Sequence, residues 1–363
     1  MLSQLKQERF LVFALIVAAL TYAGEHQLLS AGRVATLLVS IALIATIILA
    51  STRVAHHAEV LAAKVGDPYG TMILTLSAVA VEVLILAIMM SGESSPTLVR
   101  DTIYAAVMLD INGILGLAAL LGGIRHGEQP YNDDSGKTYG VMILTAMGIS
   151  MIVPEFVPRE SWHLYSAFTI AAMIALYALF LRMQVGQHSY FFSYAYPRAE
   201  KRNTPASEDP AEEPANISIA TIIVGVVIIG ILAELMSTFL TEGLRDTGAP
   251  IALMAIVVAA ISAAPEILTA LRAALKNRMQ AVVNIAMGAS LSTVILTVPV
   301  MEAIALYTGQ PFIMAMSPVQ TVMVTITLIA AAINLNDGET NAIEGMTHFI
   351  LFATFIMLTI LGL

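Results

Sequence analysis

The stretch Ser262-Ala-Ala-Pro-Glu266 lies inside an apolar run, Thr247 to Leu271, that contains no other charged residue. A carboxylate near the middle of a hydrophobic span is costly, so it requires a partner or a function. Pro265 has no N–H to donate, and its ring clashes with the carbonyl of Ile261, four residues earlier. The stretch therefore offers a carboxylate and a freed backbone oxygen at about the same depth, a combination that can bind a cation.

The composition indicates an all-α integral membrane protein. Of 363 residues, 58% are hydrophobic and 12% charged, whereas soluble domains are roughly 45–50% apolar and 25% charged. The mean hydropathy is +0.83, and the apolar residues occur in runs near the length that spans a bilayer as a helix. The net charge of −9 argues against a nucleic-acid partner. The absence of cysteine excludes disulfides and thiolate metal sites.

Eleven apolar segments are predicted to be transmembrane helices. They are Phe10–Gly24, Ala31–Ala50, Tyr69–Ser91, Thr102–Gly123, Thr138–Pro154, His163–Leu181, Ile217–Leu240, Pro250–Leu271, Ala281–Met301, Pro311–Ile333 and Gly345–Leu363. The first segment is interpreted as a retained span because no small-residue cleavage site follows it. Membrane lipid is therefore a predicted partner.

The distribution of positive charge predicts the orientation of these spans. When the connectors are assigned to alternating sides, 13 of the 17 Lys and Arg residues lie on the side of the N-terminus. Because Lys and Arg favour the cytoplasmic side, we expect a cytoplasmic N-terminus and an external C-terminus.

The chain contains an internal repeat of opposite orientation. A second buried glutamate, Glu82, ends the stretch Thr75–Glu82. Matching elements precede the two glutamates: Glu59-x-Leu61 and Gly66-x-Pro68 in the first case, and Glu242-x-Leu244 and Gly248-x-Pro250 in the second. The matching positions lie 182 to 184 residues apart. Inverted repeats place substrate sites near the midplane at the repeat interface and indicate alternating access.

The repeat predicts four parts of the chain. These are an N-terminal transmembrane helix (1–30), a first five-helix repeat (31–182), a linker (183–216) and a second five-helix repeat (217–363). The linker is acidic and proline-rich in its second half, so we expect it to be a flexible cytoplasmic tether. A regulatory role in attracting cations is the alternative.

Two carboxylates held together can bind one divalent cation, one or two monovalent cations, or protons. Repulsion and desolvation both raise a carboxylate pKa, so that protons and cations compete for the same oxygens. Glu82 and Glu266 are therefore the predicted cation- and proton-binding residues. Calcium takes six to eight oxygen ligands, so further ligands are needed. The candidates are Asn112, Asn284, Ser292 and Ser262.

Several polar residues allow two interpretations. Asn284 and Ser292 are either ligands or helix–helix hydrogen-bonding groups. Asp110 is either a second titrating site or a paired buried acid, and because it points about 200° from Asn112 on a helix, both cannot face one centre. Glu234 either lines a proton or access path or has a structural role. Glu302 and Glu344 are expected to be solvated, His348 to be a packed neutral side chain, and His56-His57 to form a wet face rather than a pH sensor.

The chain resembles the cation/proton exchanger family of the calcium/cation antiporter superfamily, most closely its bacterial ChaA-type branch. The resemblance rests on H-A-E-V-L-A-A-K-V-G-D-P-Y-G (57–70), L-S-A-V-A-V-E (76–82), P-T-L-V-R-D-T-I-Y (96–104), S-A-A-P-E (262–266) and L-K-N-R-M-Q-A-V-V-N-I-A-M-G (275–288). It implies a prokaryotic inner-membrane antiporter with two α-repeats, about 66–123 and 248–301. It also implies export of Ca²⁺, or of Na⁺ and K⁺, against protons.

One departure from the family bears on the transported ion. The wider family often has G-N-x-x-E in both repeats, whereas this chain has Ala78-Val79 and Ser262-Ala263 at the Gly-Asn positions. The missing asparagines leave Na⁺ or K⁺ selectivity open beside Ca²⁺.

The sequence bears on three classes of function. A cation/proton antiporter is favoured, with no cofactor and with self-association into a homo-oligomer left open. A passive cation channel that uses the same acids is the alternative. An enzyme is not predicted because neither HExxH nor GxSxG occurs.

Overall fold

The computed structural model describes residues 8–65, 69–91, 95–186, 188–194, 214–248, 250, 252–310 and 312–363. The α-helices of this part are α1 (Arg9–Ser30), α2 (Arg33–Val65), α3 (Tyr69–Ser91), α4 (Leu98–Met108), α5 (Gly116–His126), α6 (Asp133–Met147), α7 (Trp162–Val185), α8 (Ala215–Leu244), α9 (Ala252–Ser262), α10 (Ala264–Leu275), α11 (Met279–Ser292), α12 (Val298–Thr308), α13 (Pro318–Asn334) and α14 (Ala342–Ile360). Two short strands, β1 (Gln129–Pro130) and β2 (Glu339–Thr340), complete the regular structure apart from π- and 3₁₀-segments. The predicted all-α class is confirmed.

Helices occupy all eleven predicted segments. Eight of the described helices or helix combinations are long and apolar enough to cross a membrane, and α9 with α10 forms a further, bent pair. The remaining two segments contain shorter apolar helices, Leu76–Met90 and Pro318–Asn334. The count of eleven spans therefore stays a prediction. The acidic half of the predicted linker lies outside the described residues.

In the part of the chain that the structure describes, three stretches of π-helix interrupt the spans. They are π1 (Leu109–Leu115), π2 (Gly148–Ile152) and π3 (Thr293–Thr297). π1 joins α4 to α5, and π3 joins α11 to α12, so each lies within one long span. Their first residues are 184 positions apart and their last residues 182 apart, as the predicted repeat requires. Because π-turns are rare and occur frequently at functional sites, they direct attention to these two spans.

The chain divides into two compact units. Unit 1 comprises Met1–Ser94 and Glu200–Ala249, and unit 2 comprises Ser95–Ala199 and Pro250–Leu363. Each unit contains segments of both predicted repeats. The assignment of the repeats themselves stays a prediction.

Unit 1 is built from α1, α2, α3 and α8, with α2 packed along α8. Glycines of α8 allow this close packing: a Cβ at Gly225 would lie 2.6 Å from Val54, and one at Gly243 would lie 2.7 Å from Leu37. Such contacts through small residues are typical of helices that pack within a bilayer.

The start of α1 is tied to the C-terminal part of α2 and the start of α8. Glu8 accepts hydrogen bonds from Arg53, and His57 Nε2 lies 3.0 Å from Glu8 Oε1. The other ring nitrogen of His57 lies 3.3 Å from the hydroxyl of Ser218. His57 is only 1% exposed, so the predicted wet face is wrong for His57, although His56 is exposed. His57 is buried because its side of α2 faces the start of α1 and the start of α8.

Unit 2 contains α4 to α7 and α9 to α14. In it, α4 packs against α9, α5 against α14, and α7 against α12, while α10 packs against α5 and α11. π1 also packs against α10, so α5, α11 and π1 are neighbours of the helix that carries Glu266.

Contacts between connectors agree with the predicted alternation of spans. In unit 2, β1 pairs antiparallel with β2, and Gln129 Nε2 donates to the carbonyl of Ala274. Both contacts join connectors assigned to the N-terminal side. The N–H of Ile313 donates to the carbonyl of Pro96, and the N–H of Met316 to that of Met151, both on the opposite side. These contacts join segments on matching sides, while the orientation in the membrane stays a prediction.

Candidate cation site

Glu266 lies at a sharp break between two helices. α9 ends at Ser262, α10 begins at Ala264, and the two axes differ by 58°. Pro265 occupies the first turn of α10, where its missing N–H does no harm, so the break falls where the sequence predicted it. Glu266 is half-buried in that same first turn. The positive end of a helix dipole favours a carboxylate at this position.

Glu82 has a different backbone setting. It lies within α3, which runs without interruption from Tyr69 to Ser91, and it is 3% exposed. The Glu82 stretch lacks a proline, and its helix is accordingly regular where the Glu266 stretch is broken. Glu82 belongs to unit 1 and Glu266 to unit 2. That the carboxylates of Glu82 and Glu266 lie close together therefore remains a prediction.

The elements packed against α10 carry the predicted supporting residues. α10 contacts π1, which contains Asp110 and Asn112, and α11, which contains Asn284 and Ser292. The elements that carry these candidates therefore neighbour α10, while their role at the site stays a prediction. Ser262, at the end of α9, directs its hydroxyl to the carbonyl of Ala259 at 3.0 Å.

Asp110 and Asn112 point to different partners, as their spacing predicted. The hydroxyl of Ser290 donates to Asp110 Oδ2 at 3.2 Å, which joins π1 to α11. Asn112 turns toward α13 and α14, where it contacts Thr327 and His348. Both side chains are buried. Asp110 therefore faces α11 within a polar contact, and its role as a titrating site or a paired acid stays open.

Asn284 and Ser292 both make hydrogen bonds within unit 2. Asn284 accepts from Gln280 at 2.9 Å and donates to the carbonyl of Phe192 at 2.8 Å. The hydroxyl of Ser292 lies 2.8 Å from the carbonyl of Gly288 on its own helix. Asn284 thus joins α11 to the segment that contains Phe192, whereas the Ser292 hydroxyl bonds only within its own helix, and each side-chain oxygen retains a lone pair. Their role as ligands stays a prediction.

The remaining acidic candidates occupy varied surroundings. Glu234 is exposed on α8. Glu344 is half-buried and accepts a hydrogen bond from Asn341. Glu302, expected to be solvated, is 2% exposed. The prediction for Glu302 is wrong because α12 continues past Met301 to Thr308 and packs this turn against α7.

Two residues near Asn112 were missed as parts of the candidate site. His348 was interpreted as a packed neutral side chain, and Thr327 was not singled out. His348 is indeed buried, at 3% exposure, but its Nδ1 lies 2.8 Å from Asn112 Oδ1. A polar side chain in each of three apolar spans was the signal that could have linked them. Among the described residues, no group of three or more His, Asp or Glu suited to a metal ion is found.

The sequence as a whole matches a family of cation transporters. The chain matches the family described as sodium/calcium exchanger protein over residues 35–186 and 217–361. The chain therefore belongs to this family, which confirms its assignment to the calcium/cation antiporter superfamily.

Individual relatives support the same assignment. The sodium-potassium/proton antiporter ChaA of Escherichia coli (strain K12) is 32% identical over 306 residues, 84% of each chain. The putative ionic transporter y4hA of Sinorhizobium fredii is 30% identical over 354 residues, covering 96% of this chain and 94% of that protein. A solved structure of the Ca²⁺/H⁺ antiporter protein YfkE is similar in fold, with a TM-score of 0.75 at 17% identity, covering 98% of this chain and 99% of that one.

Proposed function

We propose that this protein is a secondary-active antiporter that exchanges a cation for protons by alternating access. The observation that carries the proposal is the helix break at Ser262–Ala264, which places Glu266 in the first turn of α10. A chain that belongs to an exchanger family and keeps a carboxylate at such a break has the chemistry needed to bind a cation or a proton.

The two carboxylates supply the exchange chemistry. A bound cation neutralises Glu82 and Glu266 from one side of the membrane, and protons neutralise the same oxygens from the other. If the neutralised states change conformation and the empty, charged state does not, competition becomes obligatory exchange. Pro265 cannot donate to the carbonyl of Ile261, so that oxygen is a further ligand on the Glu266 side. Asn112, Asn284, Ser292 and Ser262 complete the proposed ligand set, with Asp110 and Glu234 on a proton or access path.

Calcium is the cation that we favour, with Na⁺ or K⁺ as the alternative. Two glutamates provide at most four oxygens, and calcium takes six to eight. This chain has Ala78-Val79 and Ser262-Ala263 where the wider family often has Gly-Asn. It therefore lacks two amide side chains that could have supplied further oxygen ligands. One relative carries sodium and potassium in its name and another carries calcium. We further propose that the protein lies in a prokaryotic inner membrane with its N-terminus in the cytoplasm.

Neutral substitutions of the two glutamates test this proposal. In reconstituted vesicles, we expect Glu82→Gln and Glu266→Gln each to lower cation-dependent proton movement at least tenfold, because each removes a carboxylate that must alternate between cation and proton. Glu160→Gln changes an exposed acid in a connector and serves as the matched control.

The outcomes separate an antiporter from a channel. Normal proton movement in either glutamate variant would contradict the proposal. Cation flux through the wild-type protein that neither drives nor responds to proton movement would identify a passive channel instead.

A further inference from the structure

Asn112 lies between Thr327 and His348 in a hydrogen-bonded chain of buried side chains in unit 2. The hydroxyl of Thr327 lies 3.6 Å from Met108 Sδ, Asn112 Nδ2 lies 2.8 Å from Thr327 Oγ1, and His348 Nδ1 lies 2.8 Å from Asn112 Oδ1. Asn112 is 0% exposed. These contacts come from α13 and α14, far along the chain from π1. The amide is therefore held from both sides by distant parts of the fold.

The hydrogen bonds define the orientation of the Asn112 amide. Its NH₂ group donates to Thr327 Oγ1 and lies 3.7 Å from Met108 Sδ, and the Thr327 hydroxyl donates to the same sulfur. The Asn112 oxygen must then face His348, and the Nδ1 of His348 must carry the proton that it donates. A carbonyl oxygen has two lone pairs, so Asn112 Oδ1 keeps one lone pair after accepting from His348.

The approach of α14 to α5 places His348 at this point. A Cβ at Gly116 would lie 2.8 Å from the Cβ of His348, and one at Gly123 would lie 2.3 Å from the backbone nitrogen of Ala342. On the other helix, a Cβ at Gly345 would lie 2.2 Å from the backbone nitrogen of Leu120. Only glycine at these positions lets the two backbones come close enough for the imidazole to reach π1.

We propose that His348 is a positioning residue for the cation site: its Nδ1–H holds the Asn112 amide with the oxygen, rather than the NH₂ group, available to the cation. This inference rests on the proposed function, in which Asn112 is a ligand. Without His348, the amide can rotate and present a donor where a cation needs an acceptor. Partners that orient metal ligands in this way typically contribute 10- to 100-fold in affinity.

Substitutions at His348 test whether cation affinity depends on the position of the side-chain N–H donor or only on the size of the side chain. The side-chain nitrogen of asparagine can occupy the place of histidine Nδ1, whereas that of glutamine occupies the place of Nε2. We therefore expect His348→Asn to bind Ca²⁺ with an affinity close to that of the wild type. His348→Gln and His348→Leu should weaken binding roughly tenfold or more. Titration calorimetry of purified protein with Ca²⁺, and separately with Na⁺ and K⁺, measures this without requiring transport.

A second pair of variants distinguishes loss of the hydrogen bond to Asn112 from loss of the fold. Thr327→Val removes the hydroxyl that accepts from Asn112 and should also weaken cation binding. Thr325→Val alters an exposed threonine of the same helix, whose hydroxyl bonds only the carbonyl of Thr321, and should leave affinity unchanged. Thermal unfolding of each variant shows whether a loss of affinity comes from misfolding.

The readouts distinguish this inference from the proposed function. Wild-type affinity in His348→Gln, or equal losses in His348→Asn and His348→Gln, would overturn the positioning role. If the wild type binds cations but moves no protons, the proposed antiport fails while the positioning role stands. If the wild type binds none of the three cations, both fail. The pH dependence of transport should be the same in His348→Asn and the wild type, because the role requires no titration of His348.

Discussion

Glu8 is held between two basic side chains at the start of α1. Arg53 donates to both of its carboxylate oxygens, and His57 lies 3.0 Å from one of them. Burial alone would raise the pKa of Glu8, but the hydrogen bonds from Arg53 and His57 outweigh burial and hold this pKa below its ordinary value. The contact joins α1 to α2 and, through Ser218, to α8.

The sign of this pKa shift predicts how stability depends on pH. A carboxylate whose pKa is lower in the folded state stabilises the fold above its unfolded-state pKa of about 4.3. That contribution is lost as the pH falls through the lower, folded-state value. We expect Glu8→Gln to lower the free energy of unfolding at neutral pH by about 1 kcal/mol or less, because the group is partly solvated.

Thermal unfolding in detergent over a range of pH measures the effect. The difference between Glu8→Gln and the wild type should shrink as the solution is acidified. A difference that persists unchanged at the lowest pH would contradict an ionic origin. Glu160→Gln, which changes an exposed acid, should have the stability of the wild type throughout the pH range.

At the residue scale, the sequence was most informative where a charged side chain lies in an otherwise apolar run. Glu82 and Glu266 stand out because no other charge shares their apolar runs. Asn112 was preferred over Asp110 because of helix geometry, and the structure does turn the two in different directions. His57 could not be predicted, since its burial depends on α1 and α8, which are distant in the chain.

At the element scale, the contact between α5 and α14 depends on glycine. At Gly123 and Gly345, an added methyl group would meet backbone atoms of the partner helix, which cannot rotate away as a side chain can. We expect Gly123→Ala and Gly345→Ala each to destabilise the protein by about 1–3 kcal/mol, the usual cost of overpacking.

Gly140 provides the matched control for these substitutions. It lies within α6, and a Cβ at this position would meet nothing within 4 Å. Gly140→Ala should therefore be neutral or stabilise the helix by up to about 1 kcal/mol. Thermal unfolding of the three variants side by side checks the prediction. Equal stability of all three would contradict the close approach of α5 and α14.

Breaks in the helices differed in how well the sequence predicted them. The break before Glu266 was predictable because proline acts locally, on the carbonyl four residues earlier. The π1 and π3 segments were not predicted, because no residue type marks a π-turn and their stability comes from packing within the spans. The extent of α12 was also underestimated, which misplaced Glu302 at a solvated span end.

At the scale of the whole molecule, the repeats and the compact units divide the chain differently. The repeat was inferred from matching residues in sequence, whereas unit 1 takes α2 and α3 from one repeat and α8 from the other. Sequence spacing cannot reveal such an exchange, because it depends on which helices pack side by side. The alternation of spans predicted from positive charge agrees with the contacts near the ends of the helices in unit 2, and it stays a prediction.

The most direct test of the account is reciprocal coupling in reconstituted vesicles. A gradient of Ca²⁺, Na⁺ or K⁺ should drive protons in the opposite direction, and an imposed pH gradient should drive the same cation against its own gradient. Glu266→Gln should abolish both movements. We predict that at least one of the three cations shows this reciprocity in the wild type. Cation movement that stays the same with and without a pH gradient would contradict the account.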